Sequence, residues 1–182
     1  MPGYSHAALD RLPTFDPTSG LMNVVVETPR GHRNKYKYDR NMQAIKLDTV
    51  MPAGVVFPFN FGFIPSTLGE DNDPLDVLIF MDEAAFPGCV VAARLLGVIQ
   101  AEQSEPNSAP VRNDRLIAVA DESYEHKGVD DIEQIHDNLL REIEHFFVSY
   151  NQVSGIQFEL KGTFGPAEAQ EIVRAGMDRF QS

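Results

Sequence analysis

Asp71-Asn72-Asp73-Pro74-Leu75-Asp76 runs without a break into Val77-Leu78-Ile79-Phe80. Three carboxylates fall within six residues, around a proline turn that feeds an apolar run. Pro fixes φ and Asp bonds its own backbone, so the acidic half reads as a turn. Val77 to Phe80 is too short for a helix and rich in β-formers, so it reads as a buried strand. The acids therefore sit at the mouth of a strand that anchors them. Like charges this close repel unless a cation lies between them, and clustered oxygens are what magnesium prefers. A solvated acidic turn is the plainer reading. A calcium loop of the EF-hand type fails, because its third ligand position is Leu75, its glycine position Asp76 and its twelfth position Asp82 rather than Glu.

Upstream, Phe57-Pro58-Phe59-Asn60-Phe61-Gly62-Phe63-Ile64-Pro65-Ser66-Thr67-Leu68 leads into the acidic loop and reads as core aromatics. Met22 to Thr28 is a strand closing on Glu27, just before Pro29. In Lys35-Tyr36-Lys37-Tyr38-Asp39, alternation puts both lysines on one face and both tyrosines on the other. Ala44 to Val50 is another strand. Residues 1 to about 20 carry three prolines and no period, which predicts an irregular surface arm. Downstream, Val90 to Ile99 and Leu116 to Val119 read as paired core strands, joined by a polar surface loop from Glu102 to Asp114. Asp131 to Tyr150 reads as a helix with Ile132, Ile135, Leu139, Leu140, Ile143, Phe146, Phe147 and Tyr150 in one apolar stripe. Gln157 to Gly162 is a last strand, and a last helix starts near Pro166. Strands first and helices second make an α+β plan in one domain, residues 1–182: a small closed β-barrel with two helices packed on it.

Composition narrows the function. A net charge of −12, from 27 acids against 15 bases, disfavours nucleic acid and anionic membranes as partners. A barrel this acidic is equally unsuited to single-stranded nucleic acid. Cys89 is the single cysteine, which points to a reducing compartment and the cytoplasm. The first twenty residues lack the basic and apolar regions of a signal peptide. The run Val90 to Ile99 is broken by Arg94 and is too short to span a bilayer. The five histidines show no metal spacing, no serine has a G-x-S-x-G context, and no phosphate-binding P-loop occurs.

The string Asp71-x-Asp73-Pro74-x-Asp76-Val77-Leu78 resembles the signature of the soluble family I inorganic pyrophosphatases. The run V-V-V-E-x-P ending near Glu27 resembles that family's opening strand, and Lys35 and Asp39 match its K-x-E-x-D pattern, with Lys37 in place of Glu. Pro58, Asn60, Gly62 and Thr67 match its aromatic segment, although Phe57, Phe61 and Phe63 replace tyrosines. The resemblance implies an OB-like five-stranded barrel that hydrolyses pyrophosphate with Mg2+, or with Mn2+ or another divalent ion. It implies Asp71 and Asp76 as metal ligands, with Asp73 at the metals and activating a water. Lys35, Arg115 and Tyr150 would bind phosphate, Glu27 would line the cavity, and Lys37 would add a cation. Two further metal-binding Asp positions fall at Gln103 and Asn113, and a one-residue slip along the loop brings in Glu102 and Asp114 instead. The family's phosphate-binding Arg aligns with Thr49, and its Tyr-Lys pair becomes Tyr150-Asn151. These departures motivate an alternative, a pyrophosphatase-like protein with impaired catalysis that binds metal or phosphate or serves in assembly. The resemblance further implies a homo-oligomer, a hexamer or a dimer.

Overall fold

The structure is a computed structural model, and it describes residues 8–182. The first seven residues of the expected arm, His6 among them, lie outside that range. From residue 8 the chain makes a 3-10 turn at Leu9–Arg11 and then runs irregularly, with Phe15 bridging to Met22.

Nine strands and two α-helices follow. They are β1 (Met22–Thr28), β2 (Asn34–Asp39), β3 (Ala44–Val50), β4 (Asn60–Phe63), β5 (Asp76–Phe80), β6 (Val90–Ser104), β7 (Val111–Arg112) and β8 (Arg115–Ala120), then α1 (Asp137–Val153), β9 (Gln157–Phe164) and α2 (Pro166–Gln181). Strands β1, β4, β5, β8 and β6 pair in that order, and β6 pairs back onto β1. The five strands therefore form a closed ring, as the α+β barrel plan requires. All of its pairings are antiparallel except β5 with β8. Strands β2 and β3 form a separate hairpin.

Both faces of the ring are covered, so β5 and β8 are nearly continuous apolar runs rather than alternating ones. Leu78, Phe80, Ile117 and Val119 join an aromatic-rich cluster with Ile143 and Phe147 of α1. Their neighbours Val77, Ile79, Leu116 and Ala118 join a second cluster with Ala169 and Val173 of α2. Gly62 permits the ring to close, since a Cβ there would lie 1.9 Å from the Val25 carbonyl oxygen across the β1–β4 pair.

Two expectations change. The long helix begins at Asp137, six residues later than its apolar stripe suggests. Asp131 caps a 3-10 turn at Ile132–Gln134, with Gln134 answering in a capping box, and His136 then caps α1 separately. Ile132 and Ile135 still enter the core, so the stripe reports burial on two consecutive elements. The polar stretch after Glu102 is also more ordered than a loop. Strand β6 continues to Ser104, turns, and pairs with β7.

Candidate active site

The acidic turn is held by short-range bonds that its sequence dictates. Gly69 N–H donates to the Asp73 carbonyl at 2.7 Å, and Asp73 N–H donates to Asp71 Oδ1 at 3.1 Å. Asn72 sits at φ 64°, a left-handed position that Asn tolerates better than most residues. Thr67 ties the turn to the preceding segment. Its hydroxyl donates to the Ile64 carbonyl at 2.6 Å and accepts from Leu75 N–H at 3.1 Å. Asn60 is fully buried, accepting from Arg30 N–H and Ala85 N–H and donating to the Glu83 carbonyl.

The turn opens on a cavity of about 590 Å³. Asp71, Asp73 and Asp76 line it, together with Glu27, Lys35, Lys37, Arg115 and Tyr150. Five separate segments deliver these groups, Glu27 coming from the end of β1. The acidic turn supplies the aspartates, the β2–β3 hairpin both lysines, the start of β8 the arginine, and the last turns of α1 Tyr150. The β1–β4 register shifts between Val26 and Thr28, a bulge of the kind that re-aims a side chain beside a site, and Glu27 lies within it.

The cavity is a mosaic of opposite charges. Lys37 Nζ lies 2.7 Å from Asp73 Oδ2, and an Arg115 Nη lies 2.7 Å from Asp76 Oδ2. The Arg115 guanidinium is clamped between Phe147 and Phe158, 5.3 and 5.1 Å from their ring centres. It also donates to the side chain of Asn113 and to the carbonyls of Asn113 and Asp114. Its Nε is buried without a partner, a donor suited to an incoming anion. Lys35 Nζ stands 3.0 Å from Asp48 and 5.3 Å from the Tyr150 ring centre. Burial draws the Lys35 ammonium down, but Tyr150 and Asp48 outweigh it and hold it above its ordinary value.

Three of the acids are raised as well, and for them burial is the main cause. Burial pushes Glu27 up to about 8, against the bond its Oε1 accepts from Tyr38 N–H at 2.6 Å. Burial also raises Asp71, with Asp76 and Asp73 adding to it, despite the bond from Asp73 N–H. Asp76 is raised by burial in spite of Arg115. Clustered carboxylate oxygens suit a hard divalent ion in kind. They are not assembled as a cage: among the described residues, no three His, Cys, Asp or Glu side chains converge as metal ligands.

The register across β6 and β7 decides between the two alignments of the far wall. Gln103 and Asn113 face the cavity. Glu102 points to the other face of β6, where it pairs with Lys161 at 2.9 Å. Asp114 accepts from Ala101 N–H, pairs with Arg112 at 2.8 Å, and borders a smaller cavity against α2. Glu102 is therefore turned away from the aspartates, whereas Asp114 lines the smaller cavity that Asp71 and Asp76 also border. Thr49 is not among the lining residues, whereas Phe61 and Asn151 are. Asn151 is buried and donates to the Phe147 carbonyl of its own helix at 2.7 Å. Asp48, Lys46 and Arg40 also line the cavity and were not singled out from the sequence. The alternation of Lys46 and Asp48 on one face of AIKLDTV was the available signal.

Comparison with known proteins agrees with this geometry. The family model for inorganic pyrophosphatase matches residues 24–181. Soluble inorganic pyrophosphatase 3 of Arabidopsis thaliana is 37% identical over 161 residues, covering 88% of this chain and 72% of the relative. The inorganic pyrophosphatase of Thermus thermophilus is 36% identical over 178 residues, covering 96% and 99% of the two chains. A crystal structure of inorganic pyrophosphatase from Thermus thermophilus superposes with a TM-score of 0.88 over 97% of this chain and all of that one. No helix among the described residues is long and apolar enough to cross a membrane. The chain belongs to the inorganic pyrophosphatase family, of the soluble, family I type.

Proposed function

We propose that this chain hydrolyses inorganic pyrophosphate to two phosphates with the help of Mg2+. The observation that carries the reading is the convergence of Asp71, Asp73 and Asp76 with Lys35, Lys37 and Arg115 on one cavity. Asp71 would hold the ion, with Asp73 and Asp76 beside it. A divalent ion in such a site lowers the pKa of water and neutralises charge on phosphoryl oxygens.

The protein's own groups account for the rest. A water attacks one phosphorus, the bridging P–O bond breaks, and the bridging oxygen leaves with the second phosphate. Asp73 accepts the proton of the attacking water. Arg115 and Lys35 neutralise the phosphate oxygens, and the orphaned Arg115 Nε supplies a further donor. The Tyr150 hydroxyl, beside Lys35, donates to the same phosphate. Glu27, titrating near 8, is mostly protonated at neutral pH and adds little negative charge against the substrate. The net charge and the single, half-buried cysteine support a cytoplasmic enzyme without nucleic-acid or membrane partners. A homo-oligomer belongs to the same reading.

The test is phosphate release from pyrophosphate with Mg2+ or Mn2+, wild type beside Asp73→Asn. Loss of a positioned base lowers turnover about 10²- to 10⁴-fold. Wild-type release no faster than that of the variant would overturn the proposal.

A further inference from the structure

Each loop carboxylate is committed differently. Asp73 is bonded to Lys37 and Asp76 to Arg115, each at 2.7 Å. Asp71 has no lysine or arginine within ion-pair distance among the described residues, and its Oδ1 accepts only from Asp73 N–H. On the opposite wall Gln103 and Asn113 are neutral and bring no charge. Lys37 is also the one contact of these that joins the β2–β3 hairpin to the acidic turn across the mouth of the cavity, with both partners 48% exposed.

We propose that Lys37 is a resident counter-cation for Asp73. Its ammonium stands where a second divalent ion would need to bind, so the cavity takes one such ion, at Asp71, before any anion arrives. This rests on reading the cavity as a metal-dependent pyrophosphate site. The physical reason is charge. An ion approaching Asp73 must displace an ammonium already in hydrogen-bond contact and then remain near it, and a divalent ion feels twice the repulsion of a monovalent one. The same ammonium is free to turn onto a phosphate oxygen once an anion competes with Asp73. Lys37 thus offers the substrate a cation that no chelator removes.

Mn2+ binding to the full chain without phosphate, followed by electron paramagnetic resonance of the free ion, tests this directly. Wild type is expected to take up a single Mn2+ per chain. Lys37→Met, which keeps the length and removes the charge, and Lys37→Glu, which reverses it, are expected to gain a second site, tightened by about tenfold or more over any weak wild-type binding. Adding Asp73→Asn to Lys37→Met should abolish the gain. Thermal melts of each variant establish that it is folded. Two or more ions of similar affinity on wild type overturn the proposal, as does unchanged stoichiometry in both Lys37 variants, or a gain that survives Asp73→Asn. Phosphate release measured on the same wild-type sample separates the two readings. Release together with two bound ions overturns only the counter-cation, whereas one bound ion without release overturns only the pyrophosphatase function.

Discussion

Glu27 shows how much a single buried group can commit. Its side chain accepts the Tyr38 N–H inside the β1 bulge, and burial raises its pKa from 4.5 to about 8. The folded state therefore holds a proton between these values that the unfolded chain has released. Stability from this group is complete below about pH 4.5 and is lost as pH rises through about 8. Glu27→Gln keeps an acceptor for Tyr38 and removes the titration. It should match wild type in urea unfolding at pH 5 and exceed it at pH 9 by an amount on the order of a few kcal/mol. Equal differences at both pH values would show that Glu27 titrates normally. The family resemblance implied a cavity wall for Glu27, but only the bulge and the packing around it account for the proton.

At the scale of one element, the acidic turn depends on a residue that carries no charge. Thr67 Oγ1 bridges the Ile64 carbonyl and the Leu75 N–H, both in buried surroundings. Thr67→Val fills the same volume and leaves both backbone groups without that partner. We expect a stability loss of about 1–3 kcal/mol in urea titration. Turnover should fall as well, because Asp71 and Asp73 hang on the same turn; full stability with full turnover would show the bridge to be dispensable. The helix before the last strand teaches a related lesson. An apolar period of 3.6 passes unbroken from Ile132 to Tyr150, yet caps at Asp131 and His136 divide it. The pattern records which residues are buried, and local side-chain bonds decide where helices begin.

For the whole molecule, ring closure places one severe demand on one residue. At Gly62 a Cβ would meet the Val25 carbonyl oxygen at 1.9 Å and the Val26 Cα at 2.9 Å, so β1 and β4 could not keep their spacing. Gly62→Ala should cost at least about 1–3 kcal/mol, as overpacking does, read from the urea midpoint. Because β1 and β4 also carry Glu27, Phe61 and Phe63 to the cavity, pyrophosphate turnover should drop with it. An unaffected midpoint would mean that the two strands separate at little cost. The same ring explains why Glu27, Asp76 and Arg115 meet, since they stand at the ends of β1, β5 and β8, while the β2–β3 hairpin and α1 bring the lysines and Tyr150 to that opening from outside the ring.

The sequence by itself determined the acidic turn, the strand behind it, the α+β plan and the identity of the three aspartates. Those features rest on local chemistry: proline and aspartate make turns, and β-branched runs make strands. Tertiary structure alone decided which neighbours the carboxylates meet. The pairing of Glu102 with Arg112 and of Gln103 with Val111 turns Gln103 towards the cavity and Glu102 away from it. A shift of one residue would reverse that choice, because neighbouring side chains on a strand point to opposite faces. Lys37 meets Asp73, and Arg115 meets Asp76, across distances in sequence that no local pattern encodes. Residue types name the possible chemistry of this chain, and long-range register settles which charges stand face to face.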